Sequence, residues 1–253
     1  MAEIKEFKPE EKEPRKIPYK SKDGFITLNV LRGFTEIAEL FKIIKNKQAF
    51  LCGGYVRYMA SPADKPIRAA DADIYSMSED TYKKLKSEFQ SKFKLEIRHE
   101  NEMAITYKKI EDSKHKFFSC PPIQLIKPVL EGRVVAVGDI KTVLENFDFT
   151  IIRCGLISSK KILADADFEH DEKNKILRFK NIHCPISSTL RAVKYGKKGY
   201  WLPPFQATRL FMDWDNRSDE YRNTITTRLT RMNEGEELTQ EEIDELEKLM
   251  IID

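Results

Sequence analysis

The sequence predicts an α+β fold in which short strands alternate with amphipathic helices over residues 23–180, followed by a mainly helical part over residues 181–253. The segments QAFLC, KLEIRHE and MAITYKK have the length and apolar content of strands, and the segments between them show the apolar period of helices. After Ser187 the pattern stays helical, with breaks at Gly196, Gly199 and the pair Pro203 and Pro204. This change of pattern predicts a domain boundary near residue 180.

The composition indicates a soluble protein with a sizeable core. The chain has 253 residues, of which 41% are hydrophobic, and no apolar run approaches the roughly 20 residues that span a bilayer. The N-terminal segment MAEIKEFKPEEKEPRK lacks the apolar centre of a signal peptide. We therefore expect a cytoplasmic protein with no membrane partner. The net charge of +3 does not indicate a partner by itself.

The cysteines and histidines do not predict a disulfide framework or a zinc site. Cys52, Cys120, Cys154 and Cys184 are scattered without a CxxC pair, so we expect reduced thiols in the core. The four histidines lack the spacing of zinc ligands.

The elements follow in order along the chain. Residues 1–22 are charged and hold three prolines, which predicts a flexible charged arm. A helix is predicted from Phe34 to Ile44, then the strand QAFLC, and a helix from Ser78 or Asp80. The strands KLEIRHE, MAITYKK and PIQLIKP follow. In GDIKTVLENFDFTIIRCGLIS a short helix is predicted to run directly into a strand that carries Asp148.

Two further elements complete the chain. The segment KILADADFEHDEKNKILRF is predicted to end in a strand. Thr239 and Glu242 have the spacing of a capping box, ahead of an apolar stripe formed by Ile243, Leu246 and Met250. This acidic last helix packs on the protein or binds a partner.

Asp71 and Asp73 alternate at the start of a predicted strand. Side chains two residues apart on a strand point to the same face, and paired carboxylates are suitable ligands for hard divalent cations. The alternative is an ordinary acidic turn, and a second AspAlaAsp occurs at Asp165 and Asp167.

Gly53 and Gly54 lie between a predicted strand and a predicted helix. Glycines at this position allow a phosphate to approach the backbone amides at the start of the helix. The alternative is a tight turn with no ligand. Because the glycine pair precedes Asp71 and Asp73 by about twenty residues, the two features together predict a nucleotide site.

These motifs resemble a known family. FLCGGYVRYM…RAADADIY is similar to the head motif of the poly(A) polymerases and tRNA nucleotidyltransferases, within the polymerase-β superfamily. FDFTI at 147–151, HDEKNKILRF at 170–179 and LRAVKYGKKGYWLPP at 190–204 are similar to later motifs of that family, so the resemblance extends over residues 48–204. NEMAITYKK…PIQLIKPVLEGR…LENFDFT is similar to stand-alone nucleotidyltransferase-like proteins of large bacterial viruses, which implies the host cytoplasm as the location.

The resemblance implies a mixed sheet flanked by helices, with a nucleotidyltransferase head domain in residues 23–180 and a small helical domain in residues 181–253. It implies a magnesium-dependent enzyme that transfers a nucleoside monophosphate from a nucleoside triphosphate to a hydroxyl, at the 3′ end of an RNA, and releases pyrophosphate. The open alternatives are a protein or small-molecule acceptor, and a non-catalytic protein that binds nucleotide or RNA.

The resemblance also implies the roles of individual residues. Two magnesium ions are bound by Asp71 and Asp73, with Asp148 as the third carboxylate. The nucleotide is bound by Gly53, Gly54, Arg57 and Arg191, with the glycines at the phosphates and Arg57 at the phosphates or the sugar, although Arg57 is alternatively a surface charge.

The sequence departs from the family at several positions. Tyr58 replaces the aspartate of Val-Arg-Asp. The base-reading motif of tRNA nucleotidyltransferases has Pro185 and Ser188 at its aspartate and arginine positions, so we do not expect a CCA-adding enzyme. Gln124 either faces the nucleotide or is a strand-edge glutamine. The aromatic and basic segment 191–231 either binds single-stranded RNA or packs its aromatic residues inside a helical domain.

Overall fold

A mixed eight-stranded sheet forms the centre of the protein. The computed structural model describes residues 22–101, 103–130, 133–134, 137–243 and 246. The strands of this sheet are β1 (Phe25–Asn29), β2 (Ala49–Cys52), β3 (Ala72–Ser76), β4 (Ile97–Glu100), β5 (Ala104–Tyr107), β6 (Ile123–Ile126), β9 (Cys154–Ser158) and β10 (Lys161–Asp165). Their spatial order is β1-β10-β9-β2-β3-β6-β5-β4, and only β3 and β6 pair in parallel. The predicted α+β class and the mixed sheet are confirmed.

Helices surround this sheet. They are α1 (Phe34–Lys45), α2 (Gly54–Ala60), α3 (Glu79–Ser91), α4 (Ile140–Glu145), α5 (Phe168–Asn174), α6 (Pro185–Gly196), α7 (Pro204–Asp215) and α8 (Asp219–Asn233). A separate ladder joins β7 (Val129–Leu130) to β8 (Arg133–Val134). Within the described part of the chain, no helix has the length and hydrophobicity needed to span a membrane.

The two faces of the sheet are covered differently. Leu51 of β2 and Ile74 of β3 are fully buried in a large core that includes the apolar sides of α1, α2 and α3. On the opposite face, α4 covers Cys52 with Val143 and Leu144. Because α4 is short, this second face is only partly covered, and Asp73 lies beside Cys52 on it, in the paired register of β2 and β3.

Several local predictions are confirmed. Four of the apolar residues of α1 that the helical period identified, Ile37, Leu40, Phe41 and Ile44, are buried, while Phe34 is partly buried. Ser78 caps α3 by accepting a hydrogen bond from the amide of Thr81. Thr239 and Glu242 form the predicted capping box, because each backbone amide donates to the other residue's side chain. All four cysteines are free and buried, as expected.

Two predicted strands are absent at their expected positions. Residues 147–153 do not continue into β9: Arg153 N donates to Phe149 O, and this turn separates Asp148 from the strand that begins at Cys154. Residues 175–179 make only isolated bridges, Ile176 to Trp201 and Phe149 to Phe179. Their backbone pairs with irregular segments instead of a sheet edge.

The helical part of the chain shares a core with the residues before it. This second core joins Phe149, Leu177 and Phe179 to Tyr195 of α6 and Leu210 of α7. The predicted boundary near residue 180 therefore lies beside a continuous apolar cluster, and the two domains remain a prediction. The predicted arm, apart from residue 22, and Met250 lie outside the described residues.

Candidate active site

The glycine turn between β2 and α2 lies directly against Asp73. Gly53 has φ +79° and ψ −139°, a backbone conformation that residues other than glycine rarely adopt. A Cβ atom at Gly53 would lie 3.3 Å from Asp73 Oδ2 and 3.2 Å from Phe147 Cε1. The turn is held by a hydrogen bond of 2.9 Å from Gly53 N to Cys154 O. The structure thus brings together the glycine pair and the aspartate that the sequence predicted to share a site.

Asp71 and Asp73 lie on the partly open face of the sheet. On β3 the side chains of Ala72 and Ile74 are buried in the large core, whereas Asp71 and Asp73 are half-buried on the opposite side. Alternation along the strand accounts for this arrangement. Asp71 and Asp73 therefore lie on the same face of the sheet and are partly exposed, and their role as metal ligands stays a prediction.

A polar row continues from Asp73 across the sheet. Asp73 pairs with Gln124 of β6, and Gln124 pairs with Thr106 of β5. Gln124 Nε2 donates to Thr106 Oγ1 over 3.4 Å. Since β6 lies between β3 and β5, Gln124 is on an interior strand, and the strand-edge interpretation is wrong.

Asp148 lies in a different environment from the other two aspartates. Its side chain is 3% exposed, and Oδ2 accepts hydrogen bonds from Ser188 Oγ at 3.1 Å and from Arg191 Nη1 at 3.0 Å. Oδ1 accepts from the amide of Phe149. Asp148 therefore anchors α6 to the turn before β9, and Arg191, predicted to contact the nucleotide, forms an ion pair with it.

The donor set fits a hard divalent cation only in part. Asp71 and Asp73 supply the two accessible carboxylates on one face that such an ion requires. Among the residues that the structure describes, however, no group of three or more His, Cys, Asp or Glu side chains could hold a metal ion. As placed, Asp148 does not form such a group with the pair, and its Oδ2 instead accepts from Ser188 and Arg191.

Arg57 lies in a buried cluster behind the glycine turn. Its guanidinium is 1% exposed and donates to the hydroxyl of Tyr200 at 2.7 Å, to Ile67 O at 2.6 Å and to Glu172 Oε1 at 3.3 Å. Tyr200 in turn donates to Glu172 Oε2 at 2.5 Å. Nucleotide contact by Arg57 stays a prediction; in this structure the residue links α2 to α5 and to the segment before α7.

Tyr58 does not take the place of a carboxylate at the site. A Cβ atom at Gly33 would lie 2.9 Å from Tyr58 Cε1, and the ring centroids of Tyr58 and Tyr55 are 5.6 Å apart. The residue packs on the turn that precedes α1.

Lys198, just after α6, is a cationic residue near Asp71 that the sequence did not single out. Burial, together with Lys194 and Arg57, lowers the pKa of Lys198, and Asp71 acts in the opposite direction. Its Nζ lies 5.2 Å from the ring centroid of Tyr195. The lysine spacing in YGKKGY alone could not reveal this, since it depends on how the end of α6 is placed relative to Asp71.

The second AspAlaAsp motif has a structural role. Asp165 and Asp167 are buried, and they pair with Arg153 at 2.8 Å and with Lys180 at 3.1 Å respectively. Their neighbour Asp171 accepts two hydrogen bonds from Arg178. The same tripeptide thus forms a buried ion network at one position and a half-buried carboxylate pair at the other.

The aromatic and basic segment 191–231 buries two of its tyrosines and holds several of its arginines in ion pairs. Tyr195 and Tyr200 are buried in the second core. Arg217 pairs with Asp213, and Arg222 pairs with Asp215 and Asp219. This favours the interpretation as a packed helical region, while Phe211 remains 73% exposed.

Comparison with known proteins gives matches among solved structures alone. No protein-family model and no curated protein matches the chain. The chain is similar to a tRNA nucleotidyltransferase complexed with a primer tRNA and an incoming ATP analog, at 20% identity over 67% of this chain and 48% of that one, with a TM-score of 0.47.

Two further matches are CCA-adding enzymes. The Bacillus stearothermophilus enzyme in complex with CTP is 17% identical over 68% of this chain and 42% of its own, with a TM-score of 0.47. The Thermotoga maritima enzyme complexed with tRNA is 18% identical over 88% of this chain and 54% of its own, again with a TM-score of 0.47. The chain spans about half the length of these proteins.

Proposed function

We propose that this protein is a magnesium-dependent nucleotidyltransferase that transfers a nucleoside monophosphate from a nucleoside triphosphate to a hydroxyl, with an RNA 3′ end as the acceptor. The observation that carries the proposal is the contact between the Gly53 turn and Asp73, with Asp71 beside it on the partly open face. A phosphate-accommodating turn and a cation-binding carboxylate pair in direct contact are what triphosphate chemistry requires.

In the proposed reaction each residue of the site would have a separate role. Asp71 and Asp73 hold magnesium, which when bound lowers the pKa of the acceptor hydroxyl and neutralises charge on the triphosphate. Gly53 keeps the space beside Asp73 clear of a side chain. Lys198 adds positive charge near Asp71. The hydroxyl oxygen forms a bond to the α-phosphorus, the bond to the β-phosphate oxygen breaks, and pyrophosphate leaves while the hydroxyl proton passes to solvent.

The acceptor is the open part of the proposal. Arg217, Arg222 and Arg231 are held in ion pairs within the protein, so their charge is partly neutralised before any RNA binds, which supports a protein or small-molecule acceptor as the second candidate. The two candidates share the same site and the same chemistry.

The test incubates the purified protein with magnesium, total RNA and each α-labelled nucleoside triphosphate in turn. We expect label in RNA with the native protein and none with the double variant Asp71→Asn/Asp73→Asn. Asp80→Asn is the matched control, because it removes a carboxylate from the exposed side of α3. This helix packs on the other face of the sheet.

Label that is transferred to a protein or a small molecule instead of RNA, and that depends on Asp71 and Asp73, selects the second candidate. Incorporation that survives in the double variant, or absence of any magnesium-dependent nucleotide binding, refutes the enzyme.

A further inference from the structure

The third protein group of the site is not the residue that the resemblance implied. Asp148 is 3% exposed, and its outer oxygen is engaged by Ser188 and Arg191. Among the described residues no three His, Cys, Asp or Glu side chains are grouped closely enough to hold a metal ion, so Asp148 as placed does not complete the set formed by Asp71 and Asp73. A third protein group beside the pair therefore has to be a residue of another type.

Gln124 lies beside Asp73 on the neighbouring strand. It is directly paired with Asp73 in the parallel register of β3 and β6, so the two side chains project from the same face of the sheet on adjacent strands. The residues on either side of it, Ile123 and Leu125, are buried in the large core, whereas Gln124 is half-buried. The polar side of β6 thus faces the same space as the carboxylates.

The hydrogen bond to Thr106 orients the amide. Gln124 Nε2 donates to Thr106 Oγ1, on the side of Gln124 away from Asp73. Among the described residues no group donates a hydrogen bond to Gln124 Oε1. This oxygen is also absent from the buried polar atoms that lack a hydrogen-bond partner, so it is in contact with solvent. The carbonyl oxygen is therefore the amide atom left accessible, and amide oxygens are accepted ligands of hard cations.

We propose that Gln124, and not Asp148, is the third protein group of the Asp71–Asp73 site, and that it contributes a neutral oxygen beside Asp73. This inference rests on the proposed function. It gives the site two protein carboxylates instead of three. Since cation affinity depends on the number of charged ligands, the nucleotide-free protein binds divalent ions weakly and acquires them with the triphosphate.

The test measures Mn²⁺ binding to the nucleotide-free protein by electron paramagnetic resonance of the free ion. Gln124→Glu adds a carboxylate beside Asp73, and we expect Mn²⁺ to bind about ten-fold more tightly or better. Gln90→Glu is the matched control, because it adds the same charge at an exposed position of α3, which lies on the other side of the sheet. We expect Gln90→Glu and Asp148→Asn each to change the affinity by less than about two-fold.

A second variant protects the test against misfolding. If Gln124→Glu does not fold, as judged by circular dichroism, Gln124→Leu decides instead, because removal of the oxygen should weaken Mn²⁺ binding several-fold. Unchanged binding in Gln124→Leu, a Gln124→Glu variant that matches Gln90→Glu, or a large loss in Asp148→Asn overturns the inference.

The inference and the proposed function fail separately. If Asp71→Asn/Asp73→Asn binds Mn²⁺ as well as the native protein, the metal-dependent function is wrong. If the double variant loses binding while substitution of Gln124 has no effect, the function stands and only the role of Gln124 is wrong.

Discussion

Substitution of Gly53 by alanine tests the contact on which the site is built. Gly53 has φ +79° and ψ −139°, which costs a residue with a side chain about 1–3 kcal/mol. The added methyl group would also lie 3.2 Å from Phe147 Cε1 and 3.3 Å from Asp73 Oδ2, so both neighbours must shift. Crowding of this kind adds about 1 kcal/mol or more. We expect Gly53→Ala to destabilise the protein by about 2–4 kcal/mol in total.

Gly199→Ala is the matched control for backbone strain. Gly199 has φ +83°, and nothing lies within 4 Å of the position of an added Cβ. It should cost only about 1–2 kcal/mol, the strain of a left-handed residue. Thermal unfolding followed by circular dichroism separates the two, because each kcal/mol shifts the melting temperature by about 2–4 °C in a protein of this size.

The functional readout is Mn²⁺ binding. Since the methyl group displaces Asp73, Gly53→Ala should also weaken Mn²⁺ binding, whereas Gly199→Ala should not. A Gly53→Ala variant that is no less stable than Gly199→Ala and binds Mn²⁺ normally would refute the described contact between the turn and Asp73.

Three further predictions concern stability. Asp171→Asn removes the carboxylate that accepts two hydrogen bonds from the buried Arg178 and leaves the more distant Asp167 at 4.0 Å, so thermal unfolding should show a loss of about 3 kcal/mol, and a loss below 1 kcal/mol would contradict the buried network. Tyr200→Phe removes a hydroxyl that joins Arg57 to Glu172 and should cost about 1–3 kcal/mol by the same assay; a neutral effect would show that the cluster tolerates its loss. The amide of Thr239 and the side chain of Arg231 hold the pKa of Glu242 at about 2, below its ordinary value of 4.5. Because the pKa is lowered in the folded state, the cap stabilises the last helix above about pH 4.5 and is lost as the pH falls towards 2, which an NMR titration of the Glu242 carboxyl checks; a midpoint near 4.5 would contradict the capping box.

Much of the local structure could be predicted because it depends on neighbours in sequence. The helical period of α1 identified the residues that are buried, and the spacing of Thr239 and Glu242 identified a capping box. Alternation along β3 placed Asp71 and Asp73 on one face. These features follow from the geometry of a single helix or strand, which the order of residues specifies.

The wrong or incomplete predictions concern positions that depend on distant segments. Asp148 was predicted on a strand, yet a turn follows it and α6 engages its carboxylate through Arg191. Arg57 follows the glycine pair as in the resembling family, but Glu172 and Tyr200, more than one hundred residues away in sequence, surround its guanidinium. Neither partner has a signal near Arg57 in the sequence.

The order of amino acids alone determined the α+β class, the helix and strand periods, and the pairing of a glycine turn with a carboxylate pair. Tertiary structure alone distinguished the two AspAlaAsp motifs and selected the neighbour of Asp73. Asp165 meets Arg153 and Lys180 in the interior, whereas Asp73 lies on a partly open face beside Gln124. The reason is physical: whether a carboxylate forms an internal ion pair or stays accessible to a ligand depends on which cations and which covering helix the fold brings to it, and sequence spacing does not encode that.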